Sequence, residues 1–498
     1  MASAPPEPWA GIRDAIVPGA RSVQPVRAMV PEMGDTLTGS GPMDEDCLVL
    51  NVWTSSVGAS RRPVMVYLHG GGFRTGSGGA AMYDGHELAR KHGVVVVTLN
   101  HRLNVFGFLY LGHLRDERYL DTVNLGMRDI VLALEWVRDN IARFGGDPQN
   151  VTVFGQSGGG GKTSMLTAWP AARGLFHRAV IQSTLSDTAV RALSTDDGAR
   201  AADAFLRRLN ITPTRLDALQ TVSAGDVLAA LVGSPSGAAA ENPRDVRPAA
   251  GTPELSGDLS LRFTPVVDGT RLPAHPYDPA APQASADVPM LCGSVETESV
   301  PYQAADDPYW STSEIDEDTL ASRIMNTLSV DRASAADVVA VYRRHRPNAS
   351  RMDLAMIVAS DNSVLRTSEY TIAERKHALN RAPVYMYYFQ WYSPLREGRV
   401  RAMHGMELPF VFDHVDEAAF MVGKGADRSP LAAAVSAAWV AFARTGNPSH
   451  KGLPNWPAFD PATRSTMVLN TRSRIVDDPY GDERRLLAEL RERRGDRS

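Results

Sequence analysis

The sequence predicts an α/β protein built on a mostly parallel central sheet with helices on both faces. Short apolar runs rich in β-branched residues alternate with helix-compatible segments, and several of these runs are apolar at nearly every position. A strand buried on both faces has that unbroken apolar character, whereas a sheet with one wet face alternates. Glycine or another turn former closes most of the runs.

PVMVYLH (63–69) is the first clear strand, and it leads straight into GGGF (70–73). A polar segment from about Asp84 to His92 is helix-compatible, and VVVVTLN (94–100) follows as a second strand. A helix is expected over about Gly126 to Phe144, because Ile130, Leu134, Val137 and Ile141 recur at helical spacing. GGDPQN ends it as a turn, and VTVF (151–154) is the next strand. Later strands are read at AVIQ (179–182), VPMLCG (288–293), VYMYYFQ (384–390) and TMVLN (466–470), with a helix at about Leu431 to Arg444. The stretch between Gly233 and Gly257, rich in Ala, Pro, Gly and Ser, reads as a long surface loop within a single domain spanning 1–498. The tail GDERRLLAELRERRGDRS reads as a charged helix, frayed or disordered from about residue 483.

Composition narrows the function classes. The chain has 498 residues, 43% hydrophobic and 22% charged, which suits a globular enzyme with a large core. The formal net charge of −5 and the lack of a basic run before the tail speak against a nucleic-acid partner. No stretch reaches membrane-spanning length, and the first residues lack the apolar core of a signal peptide, so a cytoplasmic protein is expected. Cys47 and Cys292, two cysteines far apart, read as packed thiols rather than a disulfide framework. Oligomeric state is not legible.

The chemistry is concentrated in VTVFGQSGGG. Gly155-Gln156-Ser157-Gly158-Gly159 fits G-x-S-x-G directly after an apolar strand, with helix-compatible KTSMLTAW behind it. A serine on a sharp strand-to-helix turn needs small neighbours, and this context identifies the nucleophile elbow of an α/β-hydrolase fold. His69-Gly70-Gly71-Gly72-Phe73, also at a strand end, offers backbone amides free to face a developing oxyanion. GGGGKT (158–163) superficially resembles a phosphate loop, but its glycines are contiguous with the elbow, so no nucleotide, metal or organic cofactor is implied. A serine nucleophile needs a base and an orienting carboxylate, here in the chain order Ser, then Asp or Glu, then His. Among twelve histidines, His404 in RAMHGMELPFVF is the leading base, with His414 as its competitor.

The chain resembles the type B carboxylesterase family, which includes bacterial p-nitrobenzyl esterases and, more distantly, cholinesterases. The matching segments are EDCLVLNVW (45–53), VYLHGGGF (66–73), NHRLNVFGFL (100–109), NLGMRDIVLALEWVRDNIARFGGDPQNVTVFGQSGG (124–159), GLFHRAVIQS (174–183), TPVVDG (264–269), MHGMELPFVF (403–412) and ARTGNP (443–448). The resemblance implies hydrolysis of a small-molecule carboxylic ester through an acyl-enzyme, with Ser157 as nucleophile, His404 as base, and the amides of Gly71, Gly72 and Gly158 as oxyanion hole. In GSVETES (293–299) it implies Glu298 as the acid. Thr297 and Ser299 depart from the family's residues there, which leaves Glu296 as an alternative.

Other departures are Gln156 where many members have Glu, Gly158 where Ala is usual, and Thr184 after Ser183, a serine that the resemblance would place in support of the acid. The resemblance also implies an N-terminal strand pair that this chain lacks, so a lost leader segment is a second expectation beside the cytoplasmic one. It further implies a cysteine partner for Cys47, but the matching neighbourhood reads RSVQP, so Cys47 is expected to be a free thiol. Phe73, Tyr302, Tyr309 and Trp310 suggest an apolar pocket or ordinary core. Rival readings are a catalytically silent binding module and a hydrolase of amide or carbamate bonds.

Overall fold

The computed structural model describes residues 10–12, 14–25, 39, 41–58, 60–184, 189–232, 261–303 and 314–494. The stretch read as a surface loop, 233–257, lies outside the described residues, as do Tyr309 and Trp310. The chain divides into two compact units. The first holds the described residues up to 180 with 189–232 and 261–288, and the second holds 181–184, 289–303 and 314–494.

In the first unit, β1 (Leu50–Trp53), β2 (Arg62–Leu68), β3 (Val95–Leu99) and β4 (Gly146–Gln156) lie in the order β1-β3-β2-β4. β2 is parallel to both β3 and β4, while β1 is antiparallel to β3. Every residue of β3 is buried, as its unbroken apolar run predicts. The helix Leu125–Asn140 buries Ile130, Leu134 and Val137, and its expected last turn tightens into a 3₁₀ turn at Ile141–Phe144, closed by Gly145 at φ 80°. GGDPQN, expected as a turn alone, is drawn into β4 through an irregular register between Arg62 and Val64.

β5 (Arg178–Gln182) spans the boundary between the units. In the second unit β6 (Met290–Val295), β7 (Val384–Phe389) and β8 (Thr466–Leu469) are parallel, and β9 (Arg474–Val476) closes antiparallel on β8. The helix Arg428–Thr445 carries its apolar face inward through Val435, Trp439 and Phe442. Mostly parallel strands with helical crossovers are the architecture expected of an α/β-hydrolase fold.

The structure adds what periodicity did not reveal. β1 and β9 are short, and the helices Thr195–Arg208, Glu317–Leu328, Arg332–His345 and Arg351–Asn362 carry too many polar or small residues to stand out. The tail is a correction. Instead of fraying from residue 483, it forms the helix Gly481–Arg494, because Leu487 and Leu490 are buried and Glu483 meets Arg346 at 2.5 Å. Cys47 and Cys292 are both free and buried, and the Cys47 thiol hydrogen-bonds Ser22 of the RSVQP segment. Among the described residues no helix is long and apolar enough to cross a membrane.

Parallel register places the functional loops. Leu68 pairs with Gly155, so the chain leaving β2 at His69 and the chain leaving β4 at Ser157 emerge side by side. The helix after β4 then crosses so close to β2 that a Cβ on Gly159 would lie 1.9 Å from the Leu68 carbonyl oxygen. Gly159→Ala should therefore destabilise by about 2–3 kcal/mol, the cost of overpacking against backbone. Gly174→Ala, at φ 80° in open space, should cost about 1 kcal/mol. Thermal unfolding of the two variants, read by circular dichroism, checks the order, and equal shifts would remove the close-approach explanation.

Candidate active site

Ser157 occupies the turn between β4 and the helix Gly158–Thr167, with φ 59° and ψ −124°. Side chains seldom adopt this conformation, and it is held here by backbone packing on every side. A Cβ on Gly155 would lie 2.4 Å from the carbonyl carbon of Gly159, and one on Gly158 would lie 2.4 Å from the amide nitrogen of Gly72. The second contact explains the glycine found where the family has alanine. It also places the Gly72 backbone against the start of the helix that follows Ser157.

Gly71 and Gly72 have φ of 85° and 62°, which glycine adopts without strain. The Gly71 carbonyl accepts from the amides of Arg74 and Thr75 at 3.0 and 3.1 Å. Further along the loop, the Gln24 side chain accepts from the Gly76 amide at 2.6 Å and donates to its carbonyl at 2.9 Å. Asn104 donates its backbone N–H to the Phe73 carbonyl at 2.8 Å. The oxyanion candidates are thus on a glycine loop tied at both ends.

In the second unit, Glu298 lies three residues beyond β6. A parallel bridge between Thr297 and Met403, with Thr297 N–H donating to Ala402 O at 3.1 Å, carries it to His404. His404 Nδ1 is 2.6 Å from Glu298 Oε2, and the other carboxylate oxygen accepts from the Val295 amide at 3.0 Å. An ionised carboxylate only accepts, so Nδ1 carries the proton and Nε2 is left as the basic nitrogen. Both side chains are buried, and the Tyr302 ring packs against the imidazole at 5.6 Å.

The alternatives are placed differently. Glu296 accepts from Gln390 at 2.9 Å and from Arg346 at 3.3 Å, and the Tyr392 hydroxyl also donates to it. His414 stacks on Phe412. Ser183, expected in support of the acid, is buried with no hydrogen-bond partner for its hydroxyl among the described residues, while its amide donates to Gly293 O at 2.8 Å.

Two carboxyls that sequence reasoning missed flank Glu298. Burial, then the neighbouring Glu298, pushes Glu407 from 4.5 up to about 7. Gln182 donates to it at 3.1 Å, and Gln182 in turn accepts from Trp439. Burial also raises Glu369 well above the usual carboxyl range, with Glu298 and Glu407 adding to the effect, although the Thr184 amide donates to it at 2.8 Å. Glu407 had a signal, since it follows His404 by three residues in MHGMELPFVF. Glu369, in a helix far along the chain, had none.

Two tests follow from this geometry. Glu298→Gln should lower kcat by about 10²–10⁴, the range for losing the carboxylate behind a catalytic imidazole. Glu296→Gln should leave kcat nearly unchanged but lower the unfolding temperature, since it removes one of the two buried carboxylates paired with Arg346 and leaves only Glu483. Steady-state rates on p-nitrophenyl acetate beside thermal scans distinguish the two, and the reverse pattern would make Glu296 the acid. Glu407 binds its proton more tightly folded than unfolded, so its contribution is present below about pH 4.5 and lost as pH rises through about 7. Replacing it with Gln should flatten the stability profile between about pH 4 and pH 8 by on the order of 3 kcal/mol, read by urea unfolding across that range.

Comparison with known proteins shows the family. Residues 1–485 match the family described as "Carboxylesterase family". The para-nitrobenzyl esterase of Bacillus subtilis (strain 168) is 35% identical over 485 residues, covering 97% of this chain and 90% of that one. The phenmedipham hydrolase of Pseudarthrobacter oxydans is 32% identical over 475 residues, covering 93% of this chain and 86% of that one. A solved structure of an esterase from anaerobic Clostridium hathewayi, described as able to hydrolyse aliphatic aromatic polyesters, superposes with a TM-score of 0.80 at 30% identity. It covers 97% of this chain and 90% of its own. With the G-x-S-x-G elbow, the glycine loop and the carboxylate-held imidazole, these likenesses place the chain in the carboxylesterase family of α/β-hydrolase serine esterases, which hydrolyse carboxylic esters.

Proposed function

We propose that Ser157 is the nucleophile of this carboxylesterase, with His404 as its general base and Glu298 as the orienting carboxylate. The observation that carries the reading is the buried Glu298 carboxylate on His404 Nδ1 at 2.6 Å. That contact serves no obvious purpose except to fix the tautomer and stabilise the imidazolium. The strained Ser157 turn and the G-x-S-x-G frame of the segment support the nucleophile.

In this mechanism Nε2 of His404 takes the Ser157 hydroxyl proton as Oγ bonds to the ester carbonyl carbon. The carbonyl oxygen becomes the oxyanion and accepts from the amides of Gly71, Gly72 and Gly158. The intermediate collapses, the carbon–oxygen bond to the alcohol breaks, and the imidazolium gives the departing oxygen its proton. Water, activated by the same imidazole, then cleaves the acyl-enzyme and releases the acid. Tyr302, packed on the His404 ring, gives the substrate an aromatic wall at the base.

Hydrolysis of short p-nitrophenyl esters by the purified chain, beside Ser157→Ala, tests this. The parent should turn over with a burst of p-nitrophenol, and the variant should lose about 10⁴- to 10⁶-fold in kcat while folding equally well. Turnover retained by the variant would transfer the nucleophile elsewhere, and a folded but inactive parent would favour a silent binding role.

A further inference from the structure

The GGGGKT segment carries one charged residue, which the mechanism does not use. Lys162 lies in the helix that follows Ser157 and is fully buried. Its Nζ donates to the His69 carbonyl at 2.7 Å, reaches the Gly70 carbonyl at 3.5 Å, and stands 5.3 Å over the Phe73 ring. All three groups belong to the glycine loop. The Gly70 carbonyl also accepts from His69 Nδ1 at 2.9 Å.

The titratable groups facing Lys162 are His69 and His101, whose rings stack at 4.9 Å. Burial and the lysine charge keep both well below the usual imidazole range. Burial lowers Lys162 itself from 10.5 to about 7. The neutral amine still carries N–H donors, so the contact to the carbonyls survives loss of the proton.

Peptide planarity gives these contacts a consequence. In a trans peptide the C=O and the following N–H point in opposite directions, so fixing one fixes the other. A tether on the Gly70 carbonyl therefore sets the direction of the Gly71 N–H. The tethers from Arg74 and Thr75 on the Gly71 carbonyl set that of Gly72 in the same way. Glycine has no side chain to restrain these planes, so the tethers must do so.

We propose that Lys162 is a positioning residue for the oxyanion hole, holding the His69 and Gly70 carbonyls so that the Gly71 amide faces the developing oxyanion. The inference rests on the oxyanion role proposed above for Gly71, and it adds a side chain from within the helix behind the nucleophile. Misdirected amides weaken binding of the tetrahedral state more than binding of the planar ester, so the effect belongs in kcat.

The test uses the full chain and Lys162→Met, which keeps the apolar stem and removes the donor. The p-nitrophenyl acetate burst counts active serines, so rates are read per titrated site. The expected result is a fall in kcat of about 10- to 100-fold with KM changed by less than about threefold. Inhibition by an aryl trifluoromethyl ketone should weaken by the same factor as kcat/KM. There Ser157 Oγ adds to the ketone carbon, its proton passes to His404, and an oxyanion results. A purely structural lysine would lower the number of titrated sites and the unfolding temperature but leave kcat per site within about twofold, and that outcome overturns the proposal. If the Met variant does not accumulate folded, Lys162→Gln, too short to reach the His69 carbonyl, is read by the same two criteria. An inactive parent would sink the esterase reading itself, whereas an active parent with an equally active variant sinks only the role of Lys162.

Discussion

The close approach of backbones around Ser157 is the constraint on which the rest of the candidate site depends. β2 and β4 are parallel neighbours, and the helix leaving β4 must cross back over the end of β2. It does so at separations that leave no room for a Cβ at Gly155, Gly158 or Gly159. Because the helix lies that close, the elbow is sharp, Ser157 is held at positive φ, and Gly158 packs against the backbone of Gly72 in the glycine loop. A side chain at any of these glycines would push the helix outward and separate the nucleophile from the amides.

Charge in the second unit follows a different logic. Glu298, Glu369 and Glu407 are all buried, and three buried carboxylates cannot all ionise at low cost. Burial and mutual repulsion push Glu369 and Glu407 toward the neutral form, while Glu298 has a backbone amide and an imidazole to accept from. The Gln182–Trp439 pair supplies Glu407 with a neutral donor, which suits a protonated or half-protonated acid. Glu296, only two residues before Glu298, instead anchors an ion-pair network through Arg346 to Glu483 on the C-terminal helix. Neighbouring glutamates on one turn thus reach different partners, one an imidazole and the other an arginine network.

Several small and buried polar residues of the first unit also make physical sense together. Gly158 accompanies an unusually near Gly72. Lys162 puts a donor under the glycine loop, and His101 stacks on His69 beside it. Ser22, in the RSVQP segment, gives the buried Cys47 thiol a hydrogen-bonding neighbour.

Local pattern by itself determined the central strands, the Leu125–Asn140 helix, the elbow at Ser157, the glycine loop and the candidacy of His404. Each of these is written in contiguous residues: an apolar run, a helical repeat, or a glycine frame around one reactive side chain. Tertiary structure decided what depends on contacts between distant segments. It separated Glu298 from Glu296, since only the bridge between Thr297 and Met403 shows which carboxylate meets the imidazole. It turned the charged tail into a packed helix, because Arg346 and the partners of Leu487 and Leu490 lie outside the tail's own sequence. It also gave Lys162, Glu369 and Glu407 their surroundings. Burial and hydrogen-bond partners are properties of the folded chain, and a lone lysine or glutamate in a sequence carries no mark of either.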